Sequence, residues 1–257
     1  MLSIIIPAYK EPLLKPTIQS LLDNAEGDIE VIAVLDGYWL NPEEIVSDKR
    51  VRYLHLGKSR GMRDAINAGV DISRGEYIMR TDSHCSFGKG YDRILTETLE
   101  ENWIITPRRY FLDPDKWEVM DITPVDDMKL KIVNYDRGQK FSGVVWNRPN
   151  LPAIHETMAM QGSCWAMKRS WWDKVIGRLQ TEGYDTHYQD SHEMVFKTWK
   201  AGGKLMVNTN TWHAHKHRKF PRTHGYGGEK ADKCFAYALS VWRDYYLNEI
   251  QPKWTQP

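Results

Sequence analysis

What most constrains this chain is its first hundred residues, where short β-branched runs alternate with stretches of helical length. Residues 2–7, 29–36, 51–56 and 77–81 read as strands, and 16–22 and 59–70 as helices. Strands separated by helices imply βαβ units and a mostly parallel sheet, in which ligands bind beyond the carboxyl ends of the strands near a topological switch point. The polar residues fall at those ends: Ala8-Tyr9-Lys10-Glu11 after the first strand, Asp36-Gly37 after the second and Asp82-Ser83-His84 after the fourth.

A chain of 257 residues, 41% of them hydrophobic, can bury a sizeable core, and a net charge of +1 selects no polyanion. Three cysteines without a CxxC argue against a disulfide framework and fit a reducing compartment. The opening Met-Leu-Ser-Ile-Ile-Ile-Pro lacks a basic n-region, and nothing approaches 18 consecutive apolar residues. Neither a secretory leader nor a transmembrane segment is expected, which suggests the cytoplasm, or a host's cytoplasm if the chain is phage-encoded. From residue 103 the pattern loosens. Residues 107–114 and 141–152 read as extended chain and loops, 168–175 and 190–201 as helices, 204–207 as a strand, 213–228 as a loop and 230–247 as a helix. The expected α/β architecture is one domain over 1–257, with a nucleotide-binding half (1–102) and an acceptor and sugar half (103–257). Oligomeric state cannot be read from the sequence.

Asp82 and His84 stand at i and i+2 at a strand end, so carboxylate and imidazole can face one cation. A hard oxygen with an imidazole suits Mn²⁺ or a similar divalent ion, although Zn²⁺ fits the same pair and a capping Asp beside a surface His is the plainer alternative. Residues 58–69 (Lys-Ser-Arg-Gly-Met-Arg-Asp-Ala-Ile-Asn-Ala-Gly) open a helix after a strand. Its first amides, Arg60 and Arg63 favour a phosphate, with Asp64 a further ligand candidate, while Ala65, Ala68 and Gly69 suit packing.

In this order the pieces resemble the GT-A glycosyltransferases, specifically glycosyltransferase family 2 and the polypeptide N-acetylgalactosaminyltransferases. The resemblance begins at Ser3-Ile-Ile-Ile-Pro-Ala-Tyr-Lys-Glu11 and continues through Val34-Leu-Asp36-Gly37. It implies a GT-A (Rossmann-like) sheet flanked by helices, and a UDP-linked nucleotide-sugar donor whose uridine Pro7, Ala8, Tyr9, Glu11 and Asp36 would hold. Arg60, Gly61 and 63–67, with Asp64 and Ser83, would border the donor. Asp82-Ser83-His84 is similar to the metal motif, in the D-x-H form of the N-acetylgalactosaminyltransferases, and implies Mn²⁺ or Mg²⁺.

Two later segments extend the likeness. Met160-Gln-Gly162-Ser-Cys-Trp-Ala-Met167 is similar to the family's Gly-rich strand, placing Gly162 at the sugar. Gln189-Asp190-Ser191-His192-Glu193, continuing to Gly202-Gly203, resembles the Gly-Glu-Asn-x-Glu helix, with Gln189 in place of a glycine. By that likeness Asp190 and Glu193 are the catalytic acids. Ser191 falls where an inverting base would stand, so retention of configuration is mildly favoured. Counting twelve residues on from Gly203 reaches His215 as the third metal ligand beside Asp82 and His84, with His213 and His217 as alternatives at offsets of two. Arg218, Lys219 and Arg222 would cover the diphosphate.

Residues 197–233 carry nine Lys and Arg against two acids, a net +7. The acceptor expected is therefore a saccharide or lipid-linked glycan, or else hydroxymethyl-pyrimidine in phage-type DNA, which would use the excess basic charge and stacking aromatics. Two other classes compete. A nucleotidyltransferase would share the layout, and a non-catalytic nucleic-acid- or Zn-binding protein could use His213, His215, His217 and Cys234, although their spacing matches no common zinc site.

Overall fold

The computed structural model describes residues 1–184, 187–221 and 228–255. The expected elements of the first half form as β1 (Leu2–Ala8), α1 (Leu14–Asn24), β2 (Ile29–Asp36), β3 (Val51–Leu56), α2 (Met62–Ile72) and β4 (Tyr77–Thr81). β1 pairs in parallel with β2 on one side and β4 on the other, and β2 pairs with β3. Every residue of β1 and β2 is buried. Leu2, Ile4, Ile6, Val31, Ala33 and Leu35 enter one core, and Ile5, Ile32 and Val34 the other. Two-sided burial is why these runs are continuously apolar, and each fully buried Ile, Val or Leu contributes about 1.5–3 kcal/mol. Gly69 brings α2 close to this sheet, because a Cβ there would lie 2.5 Å from Ile5 Cγ2.

The chain continues through β5 (Cys85–Phe87), α3 (Tyr91–Thr98), β6 (Trp103–Asp113), β7 (Glu118–Val119), the hairpin of β8 (Met128–Tyr135) and β9 (Gly138–Val145), β10 (Ile154–Glu156) and β11 (Cys164–Lys168). Then come α4 (Arg169–Trp171), α5 (Asp190–Lys200), β12 (Lys204–Lys216), α6 (Glu229–Tyr245) and α7 (Gln251–Lys253). The main path of the sheet runs β10-β12-β6-β11-β4-β1-β2-β3. β11 is antiparallel to both β4 and β6, β12 is parallel to β6, and β10 is antiparallel to β12. All strands on this path except β10 and β11 therefore share one direction, a mostly parallel α/β sheet. Among the described residues no helix is long and apolar enough to cross a membrane.

The second half holds more strand than its sequence suggests. Residues 107–114 lie largely within β6, 141–145 close β9, and 213–216 are the end of a 13-residue β12 instead of a loop. The cause is a break in register: Asn208 faces Pro107, but the next pair is Trp212 with Arg108. An irregularity opposite a proline removes the need for its missing N–H and also breaks the period of two by which a strand is recognised. The helix expected over 168–175 is one turn of α4 that continues as π-helix to Ile176.

At the β10 edge the chain is held by a buried charge network. His155 Nε2 lies 3.1 Å from Asp127 Oδ2 and its Nδ1 lies 2.7 Å from the Pro152 carbonyl, while Arg148 donates to the other oxygen of Asp127. Both ring nitrogens face acceptors, so the native imidazole carries two protons. The Asp127 hydrogen bond raises the His155 pKa above 6.5 against the opposing effect of burial. Burial pushes the Asp127 carboxyl up, but His155 and Arg148 outweigh it and hold it below 3.8. The His155 contribution is complete below pH 6.5 and is lost as pH rises through its raised value. That of Asp127 is present above pH 3.8 and is lost as pH falls through its lowered value. The stability difference between the wild type and His155→Gln, read by urea unfolding, should be largest between pH 3.8 and 6.5 and shrink towards pH 9. A difference that is flat across that range would contradict the network.

Candidate metal and nucleotide site

β1 is the switch point of the parallel block, with β2 and β4 on opposite sides, so a crevice opens beyond its carboxyl end. Asp82 leaves β4 there, its N–H donating to the Ser163 carbonyl at 2.9 Å. Three residues on, β5 pairs antiparallel with β12, setting Cys85 opposite His215, Ser86 opposite Ala214 and Phe87 opposite His213. The Lys216 N–H donates to the His84 carbonyl at 3.1 Å. This pairing carries His215 to a motif 131 residues earlier in the chain. His215 Nε2 lies 3.0 Å from Asp82 Oδ2 and 3.1 Å from His84 Nε2, and His84 Nε2 lies 4.0 Å from Asp82 Oδ2. Among the described residues these three form one group able to hold a metal ion.

The donor set fits a divalent cation. Ligands about 2.1 Å from one ion sit about 3 Å apart when adjacent and about 4.2 Å apart when opposed, and the three separations fall within those limits. Two imidazole nitrogens facing each other at 3.1 Å also need a proton or a cation between them. The neighbouring histidines are engaged elsewhere. His213 is buried, with Nε2 2.9 Å from Ser163 Oγ, and burial first and His215 second hold its pKa well below 6.5. His217 meets the edge of the Phe111 ring.

Arg80 had no role in the sequence reading, yet its side chain is 2% exposed and donates 2.6 Å to Asp82 Oδ1, as well as to the Gly162 carbonyl. Asp82 thus has one oxygen on Arg80 and the other turned to the histidines. Burial pushes its carboxyl up, but the Arg80 charge and the His215 hydrogen bond outweigh it and hold it far below the carboxylate range. The available signal was the i, i+2 spacing of Arg80 and Asp82 on one strand face. Glu11, 7% exposed, places Oε2 3.1 Å from His84 Nδ1. Burial raises the Glu11 pKa, and the hydrogen bond and charge of His84 outweigh it and lower it.

Of the residues expected around the nucleotide, Pro7 and Ala8 end β1, and Tyr9 meets Tyr38 edge to face at 6.3 Å. The Asp36 carboxylate accepts from Ser59 Oγ at 2.8 Å, Arg60 N–H at 2.6 Å and Gly61 N–H at 2.9 Å. It organises the turn that starts α2. That turn also needs Gly37, at φ +75°, where a Cβ would lie 2.2 Å from Ser59 N. Arg60 and Gly61 line a cleft of about 310 Å³ with Met62, Arg63, Thr181, Tyr184 and Lys230, at the start of α2 and apart from the three metal-site residues. Asp64 is half-buried, Ser83 is buried, and Arg218 and Lys219 follow β12 on the exposed surface. Arg222 lies outside the described residues.

Two expected ligand-facing groups do something else. Arg63, 3% exposed, is ion-paired to Glu193, donates to the Gln180 and Tyr188 carbonyls and lies 4.0 Å over the Tyr184 ring. Glu193, 1% exposed, also accepts from Gln180 N–H at 3.1 Å and faces Lys197 Nζ at 2.8 Å. With these partners the two residues form a buried brace, from which Arg63 also lines the cleft beside Arg60. Asp190 differs. It is 8% exposed, none of the described residues donates to its carboxylate, and Oδ1 lies 3.8 Å from where a Cβ on Gly162 would sit.

The glycosyl transferase family 2 model matches residues 3–176, and the chain belongs to that family. It is 35% identical over 108 residues to the uncharacterized glycosyltransferase EpsJ of Bacillus subtilis, covering 40% of this chain and 31% of the relative. It is 25% identical over 249 residues to polypeptide N-acetylgalactosaminyltransferase 4 of Mus musculus, covering 91% of this chain and 39% of the relative. A crystal structure of GalNAc-T7 with UDP, GalNAc and Mn²⁺ superposes with a TM-score of 0.74 at 17% identity, over 99% of this chain and 52% of that one. The fold is therefore GT-A, and the chain spans between about a third and half of the length of these proteins.

The brace and the carboxylate beside Gly162 should separate in solution. Glu193→Ala leaves a buried guanidinium without its partner and should cost about 3–5 kcal/mol in denaturant unfolding. Asp190→Asn should change stability by less than about 0.5 kcal/mol. Equal stabilities for the two variants would contradict the assignment.

Proposed function

We propose that this chain is a metal-dependent glycosyltransferase that moves a sugar from a UDP-sugar to an acceptor hydroxyl. The observation that carries the reading is the convergence of Asp82 Oδ2, His84 Nε2 and His215 Nε2 at the end of β4, beside the crevice beyond β1. These residues would hold Mn²⁺, or Mg²⁺, as the solved relative holds UDP and Mn²⁺ in the same fold. When bound, the ion supplies Lewis-acid neutralisation of the leaving diphosphate. The chain's own groups do the rest. Tyr9 and the turn ordered by Asp36 receive the nucleoside, Arg60 borders it, and the exposed Arg218 and Lys219 meet phosphate oxygens. Asp190, beside Gly162, takes a hydrogen bond from a hydroxyl of the sugar or acceptor.

Retention of configuration is the stereochemical outcome we favour, because by the family likeness Ser191 falls where an inverting base would stand, and Glu193 is engaged by Arg63 and Lys197. The acceptor we favour is a saccharide, free or lipid-linked. Three described lysines of the 197–233 run are engaged within the chain: Lys197 reaches Glu193 and the Ile176 and Arg178 carbonyls, Lys216 is buried, and Lys233 pairs with Glu229. Among the described residues, these three lysines are drawn into contacts within the chain, which favours a saccharide over a DNA acceptor.

UDP-sugar hydrolysis and transfer should be abolished by chelation and restored by Mn²⁺, and Asp82→Ala or His215→Ala should each lower the rate roughly 10³-fold, about 4 kcal/mol. Undiminished turnover in Asp82→Ala would overturn the metal-site reading. Anomeric couplings in the NMR spectrum of the product should match those of the donor, and inverted couplings would overturn retention.

A further inference from the structure

Glu11 was expected at the uridine, but its carboxylate is engaged by the chain itself. Oε2 lies 3.1 Å from His84 Nδ1, and Oε1 accepts the Leu13 N–H at 3.2 Å. We infer that Glu11 is the outer-sphere positioning residue of the metal centre: it fixes the His84 ring and tautomer so that Nε2 presents its lone pair to the ion. This rests on the metal-centre reading above and extends it to a residue outside the ligand set.

Three observations support it. A carboxylate facing Nδ1 makes that nitrogen the proton carrier, which leaves Nε2 unprotonated, and Nε2 is the nitrogen that points at His215 and Asp82. Lys10, immediately before Glu11, has φ 49°, a left-handed conformation that is unfavourable for a non-glycine residue and persists where the surroundings enforce it. That kink turns the chain back from β1 and brings Glu11 to His84, 73 residues away. Finally, Glu11 is 7% exposed, which leaves it little surface for a ligand. A carboxylate behind a histidine ligand orients the ring and raises its basicity, and its loss typically lowers metal affinity 10–100-fold.

The test is Mn²⁺ titration of the full chain without donor, followed by loss of the free-ion EPR signal, for the wild type, Glu11→Gln, Glu11→Ala and His84→Ala. UDP binding is measured in parallel in EDTA. The expected result is a Kd for Mn²⁺ about 10–100-fold weaker in Glu11→Ala. Glu11→Gln, which keeps an oxygen to accept from Nδ1–H and is near-isosteric should the alanine variant not fold, should lose less. Metal-free UDP affinity should be unchanged in both. Wild-type Mn²⁺ affinity in both Glu11 variants, with loss in His84→Ala, would overturn the role of Glu11 alone. Loss confined to metal-free UDP binding would overturn it in favour of a nucleoside contact. A wild type that binds no Mn²⁺ would overturn the metal centre and this inference with it.

Discussion

Cys85 faces His215 across an antiparallel pair of strands, and the chemistry assembled at the end of β4 depends on that register. Asp82 and His84 are local partners on one stretch of chain, but the third donor arrives only because β12 crosses the sheet beside β6 and meets β5 at its far end. A slip of two residues would present His213 or His217, and a slip of one would turn the whole set to the other face. The lower part of the strand fixes the register: Leu205 and Val207 are fully buried, and His213 is itself seated in the protein against Ser163.

Charge is balanced around this group in a way that separates the roles of its members. Arg80 takes one oxygen of Asp82 and ties it to the Gly162 carbonyl, so the opposite oxygen alone is available to the cluster. Glu11 stands behind His84. The first binds β4 to the Gly162 segment, and the second binds the turn after β1 to the metal motif, so the crevice wall and the proposed ion site are one connected unit. Further out, the Arg63–Glu193 brace couples α2 to α5 and fixes the first turn from which Asp190 reaches towards Gly162.

How much of this was legible in the sequence follows from the physics of each part. β1 and β2 were legible because strands buried on both faces cannot avoid continuous apolar runs, and β3 and β4 because their short β-branched or aromatic runs alternate with helices. The glycines and acids at their ends mark where such a sheet binds ligands, and the order of motifs pointed to the family and to His215. β6 and the second half of β12 were not legible, since Pro107, the shift between Asn208 and Trp212 and the histidines His213 and His215 erase the period by which a strand is read. The pairing of Arg63 with Glu193 was not legible, because a buried ion pair between residues 130 apart leaves no local trace. Asp36 was placed at the right end of the right strand, but its partners are the amides of a neighbouring turn. Arg80 escaped notice, and Glu11 was assigned to the uridine, because the partners of both are the metal-site residues themselves.

The central claim is that Asp82, His84 and His215 together hold the ion that the reaction needs. Anomalous diffraction at the manganese edge, from crystals of the full chain grown with UDP and Mn²⁺, tests it directly. A peak bounded by Asp82 Oδ2, His84 Nε2 and His215 Nε2 is the expected result. A peak that leaves out any of the three, or no peak where UDP is bound, would contradict it.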